Sequence, residues 1–372
     1  MEYRWIEDIE EFKDIVTGWD NALIASGNYN PFLLSDFIIL WWKYFSDGLP
    51  LRIFILFHGG KIVAGLPLYL GRRSLGNMFI RSLCYIGDSA ANYTEPLYAS
   101  DQIELLPLLR DALLKRNDWD VLNLTDIREG NRLISECGKA SLDKRLNIRI
   151  INDHQNWGIN LSEGIESYYS WLSKKLRKDL RAKRKRAVKE LGQIKLSMLK
   201  SEKEVERYFD LYAEFSQKTF KKRSRNSNFE NFKYSAFFKE FLIAMFRKER
   251  LDAHVLLAEA KILAISFAYK FGKGFNWALT GFNYNYRYFR PGYLLIEELL
   301  KECAGRKETF YNWYGHERFY KMQWCNAQAP LFRLFISRRT LRGAFYSSLN
   351  SIENSLRANR AVVAFFRKIK RS

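Results

Sequence analysis

His316, Glu317, Tyr320 and Lys321 lie within one short stretch and form the densest set of proton-handling side chains in the 372-residue sequence. Glu317 or His316 can take a proton from an attacking amine or hydroxyl, and Tyr320 can return one to a leaving group. The alternative is an exposed helical ion pair between Glu317 and Lys321, with Tyr320 and Trp324 packed inward. Upstream, Arg287, Tyr288, Phe289, Arg290, Pro291, Gly292 and Tyr293 read as the joint between a strand and a helix. Proline at a first helical turn gives up an N–H that has no partner there anyway, and glycine lets a ligand approach the backbone. Free N–H groups at the positive end of the helix dipole suit a phosphate, and Arg287 and Arg290 add charge. A plain strand-to-helix turn is the alternative. The third feature is a run of cations, Lys174, Lys175, Arg177, Lys178 and Arg181, continuing through Lys183, Arg184, Lys185, Arg186 and Lys189. Either the run is a solvated helix face, or it binds an acidic acceptor, the phosphates of a donor, or tRNA, with an affinity that falls steeply with salt.

The rest of the composition narrows the chemistry. There is no HExxH, P-loop or Gly-x-Ser-x-Gly motif, which sets aside metallohydrolase, NTPase and serine hydrolase classes. His58, His154 and His254 stand alone and read as structural. Cys84, Cys137, Cys303 and Cys325 are widely spaced, without metal-ligand spacing, and are expected to be reduced thiols in a cytoplasmic setting. The acidic start, Met1 to Glu11, is unlike an export signal, and no apolar run is long enough to span a bilayer. A formal charge of +20 draws anions to the surface without choosing among them.

The elements that must position these residues come in two similar series. In the first half, a mixed helical pattern runs to about Phe45, followed by strands at 51–58, 62–70 and 79–86, with a turn at Gly59-Gly60-Lys61. A helix at 105–114, a strand at 121–124, a helix at 131–137 and a strand at 147–150 complete it. The second half has a strand at 157–161, one long helix at 165–191 entered at Ser162, a strand at 194–198, and helices at 204–219 and 229–248. A meander over 253–259, 263–271 and 275–280 leads to a helix from Pro291 to Cys303 and strands at 309–313 and 331–336. The order meander, helix, strand, helix, strand therefore occurs twice.

Several segments carry a family likeness. Asn30-Pro-Phe-Leu-Leu-Ser-Asp-Phe37, Gly59 to Leu68, the basic segment Ser173 to Gly192, the joint Leu279 to Leu295 and the Tyr-Lys box Gly315 to Trp324 stand in family order. Together, over about residues 30 to 335, they resemble the CelD-like acetyltransferases associated with bacterial cellulose and exopolysaccharide synthesis. That is a group of the GNAT superfamily related to the Fem-type peptidyltransferases. The resemblance implies an α/β (α+β) fold of two tandem GNAT-like domains, each a mixed, mostly antiparallel sheet flanked by helices. Residues 1–155 would form the packing or acceptor side and 156–338 the donor-binding and catalytic side. A basic helix over 339–372 would pack across both domains or rest on a membrane surface.

The likeness also implies an activity: transfer of an acyl group, acetyl first, from acyl-CoA to an amine or hydroxyl of a small molecule or glycan precursor, with no metal. Arg287, Arg290, Gly292 and Tyr293 would hold the coenzyme. Lys321, at the family's Tyr-Lys position, would stabilise a phosphate or developing negative charge. Two departures stand out. The superfamily pattern is kept at Arg287 and Gly292, but Arg290 occupies its first glycine, and Asn312 stands where the family often has aspartate. A Fem-like transferase using charged tRNA is the second reading, although the long coiled-coil arm of many Fem proteins is missing. The third is a catalytically silent scaffold for an anionic polymer or membrane. The expected location is cytoplasmic or peripheral at the inner membrane face, and the oligomeric state stays open.

Overall fold

Nearly every side chain of Leu251–Ala258 is buried, rather than every second one, which marks a strand covered on both faces. The computed structural model describes residues 1–75, 78–88, 90–139, 145–271, 275–314, 319–340 and 342–343. Its strands in the first half are β1 (Glu2–Ile6), β2 (Ile53–His58), β3 (Lys61–Leu66), β4 (Leu68–Leu75), β5 (Met78–Tyr85), β6 (Leu97–Tyr98), β7 (Val121–Arg128) and β8 (Leu146–Asn160). Those of the second half are β9 (Ile194–Met198), β10 (Leu251–Ala258), β11 (Lys261–Lys270), β12 (Phe275–Phe282), β13 (Phe310–Asn312) and β14 (Ala327–Arg338). They form a small sheet, β1-β2-β3-β6, and a large mixed sheet, β4-β5-β7-β14-β8-β13-β12-β11-β10-β9. The expected α/β class, with mostly antiparallel sheets flanked by helices, is what the chain adopts.

The two halves repeat an order of strand, helices, meander, helix, strand, helix, strand, and they exchange their last strands. The parallel pair β5 and β7 in the first half corresponds to the parallel pair β12 and β13 in the second. β8 closes the first half yet pairs with β13 of the second, and β14 closes the second half yet pairs with β7 of the first. β8 and β14 also pair with each other along the whole of β14. The 155/156 division therefore falls inside a continuous strand.

Two layers of helices sandwich the second-half sheet. On one face Ile265 and Phe267 meet Phe209 and Tyr212 of the helix Glu202–Lys221 and Phe241 of the helix Phe232–Arg247. On the other, Leu256, Leu263 and Ala264 meet Ala187 of the basic helix Lys174–Leu191 and Leu294, Leu295 and Leu299 of the helix Pro291–Gly305. Alternate residues of β10 and β11 thus serve opposite layers.

Several sequence expectations need correction. Residues 165–191 form two helices, Ile165–Trp171 and Lys174–Leu191, because Leu172 is extended and the Ser173 side chain caps the second by accepting from Leu176 N at 3.2 Å. The segment 62–70 is two strands separated at Pro67, which has no N–H for the ladder. The mixed helical opening begins with a strand that was not expected, Glu2–Ile6, which pairs with β2. The strands expected at 147–150 and 157–161 are one, β8. The C-terminal helix expected over 339–372 lies almost wholly outside the described residues.

A buried polar network ties the halves together where β8, β12 and β13 converge. Asn312 donates to Tyr93 Oη at 2.7 Å and to Asn276 Oδ1 at 3.1 Å, and accepts from Asn156 Nδ2 and from Tyr314 N, each at 3.1 Å. An amide both donates and accepts, which an ionised aspartate at this position could not do. Tyr93, its phenol pushed up to about 12 by burial, lies under Arg128, and Arg128 pairs with the fully buried Glu95 and donates to Asn28 Oδ1 at 2.6 Å. Replacing Asn312 with alanine strands several buried polar groups and is expected to lower unfolding free energy by about 1–3 kcal/mol. An unchanged urea midpoint for Asn312→Ala would show that the network contributes nothing.

Bulges in the exchanged strands build a second polar cluster. His154 Nε2 lies 2.9 Å from Asp126 Oδ1 and its Nδ1 3.5 Å from Asp153, which also pairs with Arg333 at 2.9 Å. The two carboxylates raise the imidazole to about 9 from an ordinary 6.5, against the opposing effect of burial. Burial pushes the Asp153 carboxyl up, but His154 and Arg333 outweigh it and hold it at about 2. Because the folded pKa of His154 is raised, its contribution is complete below about pH 6.5 and is lost as pH climbs through about 9. Urea midpoints should therefore decline across that window in the wild type, and His154→Gln should flatten the decline. Parallel pH profiles for the two proteins would refute the assignment.

Candidate active site

Strand β12 pairs with β13 only at Phe275 and Asn276, and from Trp277 onward the two chains part. Parallel strands that separate leave a gap in the sheet edged by main-chain groups with no ladder partner. A register shift in the β11–β12 ladder between Phe267 and Ala268 bends β12 just where it leaves its neighbour. The gap opens into a cavity of about 1260 Å³, and Trp277, Thr280, Gly281 and Phe282 of β12 run through it. Because the sheet is open there, the cavity reaches both helical layers.

On one side stand Lys175, Lys178 and Asp179 of the basic helix and the joint Arg287, Arg290, Pro291, Gly292 and Tyr293. Asn283 accepts from Asn285 N and starts the short 3-10 helix Tyr284–Phe289, which delivers the chain to Arg290. Arg290 has φ 51° and ψ 55°, the left-handed region that glycine enters without strain. The glycine of the superfamily pattern is thus replaced by a residue that keeps a glycine-like backbone. The Arg290 guanidinium pairs with Asp179 at 2.7 Å and lies over the Tyr293 ring. Arg287 lies over the rings of Tyr288 and Tyr284, at 4.2 and 4.8 Å. A Cβ added at Gly292 would meet only Phe282 Cδ1, at 3.7 Å. Packing therefore leaves the space above the first helical turn open, and a larger side chain would intrude into it. Tyr293, its phenol raised by burial, donates to Gln323 Oε1 at 2.7 Å.

The basic helix is fastened to this wall at a second point, where Arg184 pairs with Glu297 and Glu298 of the helix Pro291–Gly305. Of the five cations singled out on it, Lys175 and Lys178 line the cavity. Lys174, Arg177 and Arg181 are not among its lining residues.

The helix Phe319–Trp324 contributes Phe319, Tyr320 and Gln323 to the cavity. Tyr320 is half-exposed, with its ring 5.8 Å from that of Trp313. Lys321 takes a different course from the expected one. It is buried and donates to the carbonyl oxygens of Trp313, at 3.0 Å, and Tyr314. Its charge satisfies the end of β13, and it is not among the lining residues of the cavity. His316 and Glu317 lie outside the described residues, in the stretch between the buried Tyr314 and the cavity-lining Phe319. Among the described lining residues Asp179 is the only carboxylate, and it is committed to Arg290.

Sequence inspection passed over the wall formed by Phe215, Ser216, Thr219, Phe220, Arg223 and Arg225. The signal was present as helical spacing: residues 215, 219 and 223 recur every four positions, so one stripe passes from apolar to hydroxyl to cation.

Comparison with known proteins agrees with this geometry. Residues 174–322 match the acetyltransferase (GNAT) domain family, a span that takes in the basic helix, the meander, the Arg287–Tyr293 joint and most of the Phe319–Trp324 helix. Residues 174–322 are therefore similar to a GNAT domain. In overall fold the chain is similar to FemX, with 10% identity, 93% of this chain and 99% of that one covered, and a TM-score of 0.58. It is also similar to a conserved Bacteroides thetaiotaomicron protein of unknown function, with 12% identity, coverage of 91% and 100%, and a TM-score of 0.55. A third likeness is to the C-terminal domain of an Agrobacterium fabrum protein provisionally described as a lysylphosphatidylglycerol synthetase, with 11% identity, coverage of 92% and 96%, and a TM-score of 0.53. A search of curated proteins found no match. No helix of the described residues is long and apolar enough to cross a membrane.

The position of Lys321 yields a test. Lys321→Met should remove two hydrogen bonds to buried carbonyls and cost about 1–3 kcal/mol of stability, measured by urea unfolding. Stability equal to that of the wild type would free Lys321 for the role first expected of it.

Proposed function

We propose that the chain is an acyltransferase that moves an acetyl or other acyl group from coenzyme A to an amine or hydroxyl acceptor. The observation that carries this reading is the cavity at the parting of β12 and β13, with the open first turn of the helix Pro291–Gly305 on its wall. The residues there suit the donor. Pro291 has no N–H and Tyr293 N and Leu294 N both donate to Arg290 O, so it is the Gly292 N–H that meets the donor at the positive end of the dipole. Arg287, Arg290, Lys175 and Lys178 add cations for the diphosphate. The β12 edge from Trp277 to Phe282 offers hydrogen-bonding groups to an extended arm. When bound, coenzyme A supplies an acyl group activated as a thioester.

The chain's own part is to position the reactants and handle the protons. Tyr320, on the cavity wall, donates its phenolic proton to the departing sulfur. Glu317 or His316, a few residues before it in sequence, takes the proton of the attacking amine or hydroxyl. Trp277, Phe282 and Phe319 limit water around the reacting atoms. The resemblance to CelD-like acetyltransferases suggests an acceptor used in polysaccharide or cell-envelope synthesis, handled in the cytoplasm or at the inner membrane face. The first half serves as the packing or acceptor partner.

A second reading, transfer from a charged tRNA, draws on the FemX-like fold and on Lys174 and Arg181, exposed cations outside the cavity. Thermal unfolding with acetyl-CoA, with charged tRNA and with buffer alone separates the readings. Acetyl-CoA at a hundred times its dissociation constant should stabilise by about 2.7 kcal/mol. Gly292→Val and Arg287→Ala should remove that gain, and Tyr320→Phe should lower kcat by about 100-fold with acetyl-CoA affinity within twofold. Stabilisation by tRNA alone, lost with added salt, would transfer the assignment to the second reading. A response to neither would leave a scaffold for an anionic polymer or membrane surface.

A further inference from the structure

The cavity has a second cationic end, on the opposite face of the sheet from the first. The helix Glu202–Lys221 packs on the face that carries Phe267, while the basic helix and the helix Pro291–Gly305 pack on the face that carries Ala264. Arg223 and Arg225 follow the first of these helices, and both line the cavity. Their backbone is fixed. Ser224 is left-handed, with φ 52°, Arg223 N donates to Phe220 O at 2.9 Å, and Arg225 N donates to the same carbonyl at 3.0 Å. This helix ending folds Arg225 back beside Phe220. Among the described residues no carboxylate pairs with Arg223 or Arg225, in contrast to Arg290, which Asp179 neutralises, and Arg184, which Glu297 and Glu298 neutralise.

A second, independent observation lies one helical turn deeper. Thr219 is 7% exposed, lines the cavity, and its Oγ1 has no hydrogen-bond partner. Buried hydroxyls in folded proteins are nearly always paired, so an orphan on a cavity wall marks a place where a ligand atom completes the bond. Thr219 lies in the last turn of the helix and Arg223 in the turn that follows it, and both line the cavity. Gly281, also on the cavity wall, lets the Tyr212 ring of the same helix pack against the strand, since a Cβ there would come within 2.8 Å of that ring. The stripe therefore presents a hydroxyl, an aromatic ring in Phe220 and two guanidinium groups to whatever enters from this side.

We infer that this end is an acceptor subsite for a phosphate-bearing substrate, with Arg223 and Arg225 gripping the phosphate and Thr219 bonding a polar atom beside it. The inference rests on the donor occupying the Gly292 side, and it names the class of acceptor: an amine or hydroxyl compound that carries a phosphate or diphosphate. Guanidinium forks suit phosphate oxygens, and a cationic end on each face lets two phosphorylated ligands enter from opposite sides and meet in the gap beside Tyr320.

Calorimetric titration of inorganic pyrophosphate into the full-length protein saturated with acetyl-CoA tests this. Pyrophosphate should still bind, and Arg223→Ala with Arg225→Ala should weaken it at least tenfold while acetyl-CoA affinity stays within twofold. Thr219→Val should weaken it by a smaller factor, and Arg287→Ala should affect acetyl-CoA alone. Absence of pyrophosphate binding to the acetyl-CoA complex overturns the inference. So does a tenfold loss of acetyl-CoA affinity in the double variant, because the two arginines would then grip the donor's own phosphates. If acetyl-CoA fails to bind the wild type, the donor reading fails by itself. Pyrophosphate binding to the free protein then decides: loss in the Arg223/Arg225 variant upholds the subsite, and loss only with Arg287→Ala removes it.

Discussion

The antiparallel pairing of β8 with β14 is the contact on which the rest of the structure depends. Each strand ends one half of the chain and completes the sheet of the other, so neither half has a closed sheet edge without its partner. The gap between β12 and β13 exists because β13 is held from its far side by β8, a strand supplied by the first half. Asn312, Asn156, Asn276 and Tyr93 fix that junction with directed hydrogen bonds, where apolar contacts alone would allow sliding. None of the described residues that line the cavity comes from the first half, which shapes the candidate active site through β8.

The uses of positive charge differ by location. Arg128, Arg184 and Arg333 are structural: each is partly buried against carboxylates and holds elements together. Lys321 does similar work on carbonyl oxygens. Lys175, Lys178, Arg223, Arg225 and Arg287 face the cavity. Net charge alone could not separate these groups, because a guanidinium buried against glutamate and one aimed at a cavity look identical in a sequence.

Much of the architecture was legible from periodicity and breakers. The helix at 105–114 and the strand at 194–198 appear with the expected bounds, since an amphipathic run flanked by polar residues leaves little choice. What local pattern could not show is pairing between residues far apart. β8 read as two short strands because its two ends serve different neighbours, and the strand exchange left no local mark. The Pro291-Gly292 start and Tyr320 were legible because their chemistry is local to a turn. Lys321 looked like its neighbour in sequence and faces elsewhere, because a short helix sends adjacent residues in different directions. Thr219, Arg223 and Arg225 went unread because their meaning comes only from the strand gap opposite them.

The ion pair between Arg290 and Asp179 sets a selective threshold for anions at this wall of the cavity. A visiting anion must outbid a tethered carboxylate that is already in place, at high local concentration and with no loss of translational freedom. A monovalent anion offers Arg290 little beyond what Asp179 supplies, whereas a polyvalent one can engage Arg287 and the helix dipole as well. Asp179, carried on the basic helix, so acts as a built-in counter-ion for an arginine that heads the neighbouring helix, and a ligand of higher valence is better placed than a simple monovalent ion to displace it.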